Sequence, residues 1–524
     1  MRPHPLTATM WQRLAMRTAD AWSSRLSPSP VENRPLRLAG WMLLLGLVMV
    51  GFLAWYYYQE QITLIAELRR AEPVDEVAIA QARNDILRHT LTATAGFAGA
   101  AVLLLNFQKQ RHEEYNATQQ RIADLRIQAV AQLGSDSASV RIGGLHNLER
   151  LADSHPELRQ IVLDEIGAYL RLGRPHSATD GPSGPDASPT DPAGIDESEA
   201  DWREVRLVAQ EILQRHLKFR TRGQRRRYWN HTRLNLRNTL LDDIDLRDSR
   251  LVNLDLTGAT LRNRATFAGA LLKGPADFQR VNLTGHVSFF EATVKGDITF
   301  SDADFRGAAG FQQAHFTGDV DFTSARFAKT ADFREARFAG IARFSGTQFA
   351  GYAYFGDVRF VYGYFGEAQF AGSVSFGEAL FAVAATFNEA RFAGEAVFGE
   401  VQIAGNAAFE EARFADEAYF GAAQIAGYAH FKGALFAGDA NFEEAQFEGH
   451  TDFREVQIAA DADFREARFR GDAFFGAAQI AGSAFHWEAQ FDDYTAGDVS
   501  GVPATGGAPR TRELIEPPAS GGTV

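Results

Sequence analysis

Residues able to carry out covalent chemistry are few in this chain and are not spaced for it. There is no cysteine among its 524 residues, which removes disulfide frameworks, thiolate zinc sites, iron–sulfur clusters and cysteine nucleophiles. No GxxxxGK(S/T), no strand-borne GxGxxG, no GxSxG and no HExxH occurs, so the phosphate-cradling, nucleophile-elbow and zinc-protease patterns are missing. The 13 histidines are scattered, and His112-Glu113-Glu114 reads as the solvated face of a polar helix rather than a metal site. Catalytic, cofactor-binding and metal-ligating residues are therefore expected to be none, with no small-molecule substrate.

Two groups of residues suit binding instead. Lys218, Arg220, Arg222, Arg225, Arg226, Arg227 and Arg233, beside Tyr228 and Trp229, form a basic cluster without an acid among them. The first six are candidates for contact with anionic lipid, at about 1 kcal/mol per basic residue near a membrane surface. Nucleic acid is the weaker option, and a solvated junction is the bland one. Tyr352, Tyr354, Tyr362 and Tyr364 are the second group. An outward tyrosine on a rigid sheet is a good anchor for a protein partner, with the filling of a kinked face as the alternative.

The elements that must position these groups announce themselves through phenylalanine. Of 41 Phe, 37 fall between Phe267 and Phe491. Charge is just as localised. Residues 351–491 hold eight Lys/Arg against 21 Asp/Glu, the whole of the formal net charge of −13, while residues 234–350 balance at 14 and 14. Charged residues at 23% and apolar ones at 45% are ordinary for a folded chain.

The N-terminal part reads as a membrane anchor. Residues 38–58 are uncharged and end in Trp55-Tyr56-Tyr57-Tyr58, with Trp41 near the other end; that length spans a bilayer and aromatics suit its interfaces. Residues 90–107 form a second uncharged run, giving two transmembrane helices joined by a short extracytoplasmic connection, 59–89. A signal peptide is disfavoured by the long apolar run and the 37 residues before it. Six Arg in residues 1–37 and four Lys/Arg in 108–127, against four in the connection, favour both termini in the cytoplasm.

Beyond the spans a small cytoplasmic helical domain is expected over 108–174. Tyr115, Ile122, Leu125, Ala129 and Leu133 keep a helical spacing until Gly134 stops it; Ser135-Asp136-Ser137 can cap a second helix, and Ser154 with Pro156 a third. Residues 175–200, rich in Pro, Gly, Ser and Asp, read as a disordered linker. A capping helix from about Trp202 to Leu217 follows, within a cap and basic junction at 201–233, because a solenoid must hide its first coil. Residues 493–524 read as a disordered tail.

From Leu236 the chain repeats. Leu236, Leu241, Leu246, Leu251, Leu256 and Leu261 stand five apart, and from Leu256 to Phe360 the spacing alternates five and six. One residue is then lost, since Phe360, Phe365 and Phe370 are five apart, and the alternation resumes to Ile480. Helices repeat near 3.6 residues and strands at 2. A sustained five, with a small residue two positions before each large one, needs a coil in which each five residues make one side. The large residue fills the interior: Leu246, Leu256, Phe300, Phe333, Phe338, Phe370, Phe409 and Phe464 are among these centres. About 48 centres make about 12 coils, a rod of roughly 55 to 60 Å at ~4.8 Å per strand. The sixth residue of alternate units is expected as a corner bulge.

At these residues the sequence resembles the pentapeptide-repeat family, whose motif is A(D/N)LXX. The resemblance implies an all-β, right-handed quadrilateral β-helix over 234–492. Upstream, VRIGGLHNLERLAD and EVRLVAQEILQRHL, followed by YWN and LNLRNTLLDDIDL, look like membrane-anchored bacterial members. The expected function is a membrane-tethered, non-enzymatic protein-interaction scaffold at the bacterial inner (cytoplasmic) membrane, presenting an acidic solenoid to an unknown protein partner. Some soluble relatives inhibit a type II topoisomerase by imitating DNA, so a DNA mimic is the alternative. A structural rod, self-associating as a homodimer through a terminal coil, is the third.

Overall fold

The computed structural model describes residues 76–172, 193–219 and 228–491 apart from His231 and Trp487, with isolated helical positions between Val48 and Arg70. The chain divides into two compact units, Met1–Arg121 and Ile122–Val524.

In the first unit, residues 55–60 and 65–67 are helical, and helix α1 begins at Glu76, continuing to Leu133. The expected span 90–107 is thus not a separate element. It lies within a 58-residue helix that also takes in part of the expected extracytoplasmic connection, because nothing between Glu76 and Gly134 breaks the helical pattern. Leu91, Val102, Leu103, Leu105 and Phe107 are exposed along it. Among the described residues no helix is long and apolar enough to cross a membrane. Much of the other expected span, 38–58, lies outside the described residues.

The second unit opens with a helical cap. After Leu133 the chain turns at Gly134, whose N–H bonds to Ala131 O at 3.1 Å. Helix α2, Ala138–Ser154, starts after Ser137, whose side chain makes no capping bond. Ser154 ends α2 rather than capping the next helix; a 3-10 turn, Pro156–Leu158, intervenes before α3, Arg159–Leu172. Helix α4, Ala193–Leu217, begins well inside the expected linker. Pro192 is the last proline before it, and AGIDESEADW holds only one glycine, so nothing prevents the helix from extending backwards. Its Val205, Ala209, Ile212, Leu213 and Leu217 are buried with Leu145, Leu148, Val162 and Ile166 in the same core as the first coils.

Every strand from Arg233 to Phe491 pairs in parallel with strands one coil away. Thr293 pairs with His315, and His315 with Arg337, a step of 22 residues. Four strand columns result. Face 1 carries Val294, Phe316 and Phe338; face 2 Ile298, Val320 and Ala342; face 3 Phe305, Phe327 and Phe349; face 4 Val287, Ala309 and Ala331. Faces 3 and 4 are sheets of 12 and 11 strands, while faces 1 and 2 merge into one of 21. They merge because Arg337–Arg343, Arg359–Tyr364 and Leu380–Thr386 run on through the corner. This is where the rhythm loses its residue. The register shifts there, between Phe338 and Ile341 and between Phe360 and Tyr362.

All eight repeat centres named above are buried. Phe322, Phe344 and Phe365 stack in one column at 4.9 and 4.7 Å, Phe311, Phe333 and Phe355 in the facing one at 4.7 and 4.8 Å. The columns meet edge to face, Phe322 against Phe333 at 5.5 Å and 86°. Offset-stacked and T-shaped pairs are the two favoured aromatic geometries, and these two columns combine them. At the six-residue corners glycines stack on glycines: a Cβ on Gly318 would meet the Gly296 carbonyl carbon at 2.6 Å.

The first coil presents an open strand edge, which a folded protein must pair or cover. Side chains of α3 and α4 do so. Gln160 Nε2 donates to Arg233 O and its Oε1 accepts from Arg233 N, both at 2.9 Å. Arg171 donates to Asn235 O at 2.6 Å, and Gln210 Oε1 accepts from Asp242 N at 2.9 Å. Two helices, α3 and α4, thus cover this edge, where the sequence suggests one.

Candidate interaction surface

Outward residues alternate with the buried ones, so each face displays two or three side-chain columns along the rod. Their charge differs by corner. Two residues after the centres of faces 2 and 4 the chain makes a tight turn through positive φ. Of the 22 non-glycine residues with positive φ, 11 are glutamates, including Glu335, Glu367, Glu378, Glu389, Glu400, Glu411, Glu444 and Glu466. All eight are exposed. Left-handed backbone costs an L-residue roughly 1 to 2 kcal/mol, and Gly258, Gly269, Gly346 and Gly433 take the same position at no such cost. Two opposite corners therefore carry glutamate ridges.

Many other acids are neutralised in place. The sequence Asp-Phe-Arg puts Asp and Arg on the same outward side of a buried Phe, two residues apart. Asp332 pairs with Arg334 at 2.6 Å, Asp452 with Arg454 at 2.6 Å and Asp463 with Arg465 at 2.5 Å. Burial alone would raise the carboxyl pKa of Asp332, but bonds from the Arg334 side chain and backbone, with one from Gln312, hold it below the ordinary value.

Face 2 divides into zones. Toward the cap a groove of 450 Å³ is lined by Asp255, Asp277, Asp297, Asp319 and Asp321, with Arg343 at its far end. These carboxylates already accept protein bonds, Asp297 from Asp319 N and Asp319 from Ile341 N, both at 2.9 Å. Among the described residues no group of His, Asp and Glu is arranged to hold a metal. The next four coils of this face, 361–364, 382–386, 404–408 and 426–430, contain no Asp, Glu, Lys or Arg. Val383 and Tyr428 are exposed there, with Tyr362, Tyr364 and Ala384 half-buried between them. Tyr428 stacks on His450 at 5.2 Å. This neutral zone is flanked by the glutamate corner of 367, 389 and 411.

The four candidate tyrosines do not form one cluster. Tyr352 and Tyr354 stack on each other at 6.1 Å on face 4, and Tyr362 and Tyr364 at 6.3 Å on face 2. Ten residues are two sides of a four-sided coil, so the pairs point in opposite directions. Tyr352 is the exposed one, at 56%. Face 4 adds Tyr419, also exposed, lying over Gly399 and Gly421.

Of the candidate lipid contacts, Lys218 pairs with Asp245 at 2.7 Å, and Arg220, Arg222, Arg225, Arg226 and Arg227 lie outside the described residues. Tyr228 donates to Arg250 O at 3.2 Å, and Trp229 is buried with its indole N–H on Asp153 at 3.1 Å. The two aromatics of the basic cluster thus belong to the cap–coil junction. His216, also buried, stacks on Trp229 at 4.1 Å and lies 2.8 Å from Glu149. Burial would raise the Glu149 carboxyl, but His216, His146 and Arg215 together hold it at about 2.

The parallel coils, glutamate corners and stacked interior define a four-columned β-solenoid. Models described as pentapeptide repeats match it twice over: the nine-copy model in six stretches that cover 267–359 and 365–479, and the eight-copy model over 232–263. The chain is a pentapeptide-repeat family protein. Neither model's matches cover residues 360–364, the place where the rhythm breaks. No curated protein and no solved structure matches the chain.

Proposed function

We propose that this protein is a non-enzymatic interaction scaffold whose distal solenoid, residues 351–491, holds a protein partner. One observation carries the reading: an uncharged zone bearing Tyr362, Tyr364, Val383 and Tyr428 runs over four coils beside a glutamate corner. A rigid flat face with aromatic anchors, rimmed by charge, has the anatomy of a protein-binding patch. The right-handed winding comes with the family resemblance. A tether in the bacterial inner membrane is part of the proposal, supported by the uncharged run 38–58 and the exposed apolar residues of α1 from Leu91 to Phe107. Crosslinking in native membranes is expected to recover a protein dependent on residues 351–491. Recovery unchanged after deleting them would reject the reading.

The glutamate ridges favour one second reading, a DNA mimic acting on an enzyme such as a type II topoisomerase, because they repeat along the rod as phosphates do along a duplex. The full chain would then inhibit supercoiling at micromolar concentration, and no inhibition removes this alternative.

A further inference from the structure

We propose that His216 is a proton-operated latch that fastens the helical cap to the first coils of the solenoid. The ring is 1% exposed and sits where three segments meet. From α4, its Nε2 lies 2.8 Å from Glu149 Oε1 and its Nδ1 lies 3.7 Å from Asp153 Oδ1, two carboxylates one helical turn apart on α2. Trp229 closes the third side. Its indole stacks on the imidazole at 4.1 Å, its indole N–H donates to the same Asp153 oxygen at 3.1 Å, and its backbone N–H donates to His216 O at 2.9 Å. Four residues later the chain enters the strand Arg233–Asn235, so this one ring ties two cap helices to the start of the solenoid.

Only the doubly protonated ring suits both carboxylates. A neutral imidazole carries one N–H and one lone pair. With its hydrogen on Nε2 it leaves the Nδ1 lone pair beside Asp153; with its hydrogen on Nδ1 it sets the Nε2 lone pair against Glu149 at 2.8 Å. The imidazolium donates to Glu149 and balances the charge of Asp153. The other charged and titratable groups around the ring are already engaged. His146 and Arg215 lie on Glu149 at 3.2 and 2.7 Å, Glu211 on Arg215 at 2.7 Å, and Lys218 on Asp245 at 2.7 Å. Arg159 of α3 donates to the Ala152 and Tyr228 carbonyls at 3.3 and 3.5 Å. Burial would raise the Glu149 carboxyl, yet bonds from His216, His146 and Arg215 hold it at about 2, so it stays ionised wherever histidine changes charge. A proton held more tightly by the folded cap stabilises it at low pH, and that contribution is lost as pH rises and the ring gives the proton up. A neutral His216 then leaves a lone pair against a carboxylate in an enclosed site, and α2, α4 and Trp229 part more readily.

The test is hydrogen–deuterium exchange of the purified full chain, read by mass spectrometry over α2, α4 and residues 229–236 and corrected for the intrinsic rate. It spans about pH 5 to pH 8, the range in which histidine changes charge. Opening of these segments should become about tenfold more frequent from the low end to the high end. His216→Gln keeps a donor toward Glu149 but cannot carry charge, so its corrected exchange should be the same at both ends. His146→Gln should respond as the parent does. The proposal is overturned if the parent does not respond to pH, if His216→Gln responds as the parent does, or if His146→Gln abolishes the response, which would assign the proton to His146. Should His216→Gln not fold, Asp153→Asn decides: it keeps an acceptor for the Trp229 indole and removes one carboxylate, so the response should move to lower pH, and an unmoved midpoint rejects the latch.

Discussion

The helical cap and the solenoid it covers solve the same problem, burying a core, with opposite materials. Past the first coils the solenoid interior is a lattice of Phe, Ile, Val and Ala with an occasional Thr, and among the described residues no titratable side chain is fully buried there. The cap and its junction with the first coils bury charge: Glu149 with His216 and Arg215, Asp242 of the first coil with Arg206 and Arg262, and Arg141 over an indole. Repetition makes the difference. A coil stacked on copies of itself satisfies its backbone through its neighbours, so its interior can be uniform. The cap has to meet a strand edge on one side and helices on the other, and it does so with polar side chains of particular length. Shape and stiffness therefore belong to the solenoid, and sensitivity to pH and ions to the cap.

The strongest challenge to this contrast removes one ring from the lattice. Phe333→Ala deletes a fully buried side chain stacked on two others and meeting more edge-on. It should cost about 3 to 5 kcal/mol in chemical denaturation; a loss below 1 kcal/mol would mean that neighbouring coils collapse into the gap. The cap is tested by acid. Glu149 has its pKa lowered from 4.5 to about 2, so its contribution is present above pH 4.5 and is lost as pH falls toward 2. Glu149→Gln should flatten the acid limb of the stability curve over that window, while Phe333→Ala should shift the curve without changing its slope.

Backbone stacking comes next. Gly318→Ala places a Cβ against the Gly296 backbone and should destabilise by roughly 1 to 3 kcal/mol, read as a lower unfolding midpoint. The smallest effect runs the other way. Glu400→Gly relieves a positive φ of 56° and should stabilise by up to about 1 kcal/mol. Loss of stability instead would show that the carboxylate makes a favourable contact along its ridge.

The same contrast explains what could be read in the sequence. The rise from Leu236 to Ile480 in steps of five and six places each large residue inside, because one geometric rule governs all of them. Even the lost residue at Phe360–Phe370 marks the corner where two faces merge into one sheet. The cap was less legible. Ser154 and Pro156 look like a helix start, yet α2 claims Ser154 and a 3-10 turn takes Pro156, since tertiary packing outweighs a local cap of about 1 kcal/mol. α4 begins nine residues before Trp202, where composition alone reads as linker. On the surface, Tyr352, Tyr354, Tyr362 and Tyr364 are close in sequence, yet a four-sided coil sends residues ten apart to opposite faces. The glutamate ridges do have a signal in the sequence. Gly258, Gly269, Gly346 and Gly433 share their register with Glu, and a column mixing Gly with Asn, Asp and Glu at one fixed position marks left-handed backbone.

Gln160, Arg171 and Gln210 do more than close an edge. They lie before the first strand in the chain, so a ribosome delivers the closing helices before it delivers anything to be closed. Domains assemble from the N-terminus as synthesis proceeds, and a stack built from nearest-neighbour contacts grows by addition to an existing end. Each newly made coil of this protein would meet a finished surface to settle on, which turns a slow search among distant strand pairings into a succession of local steps.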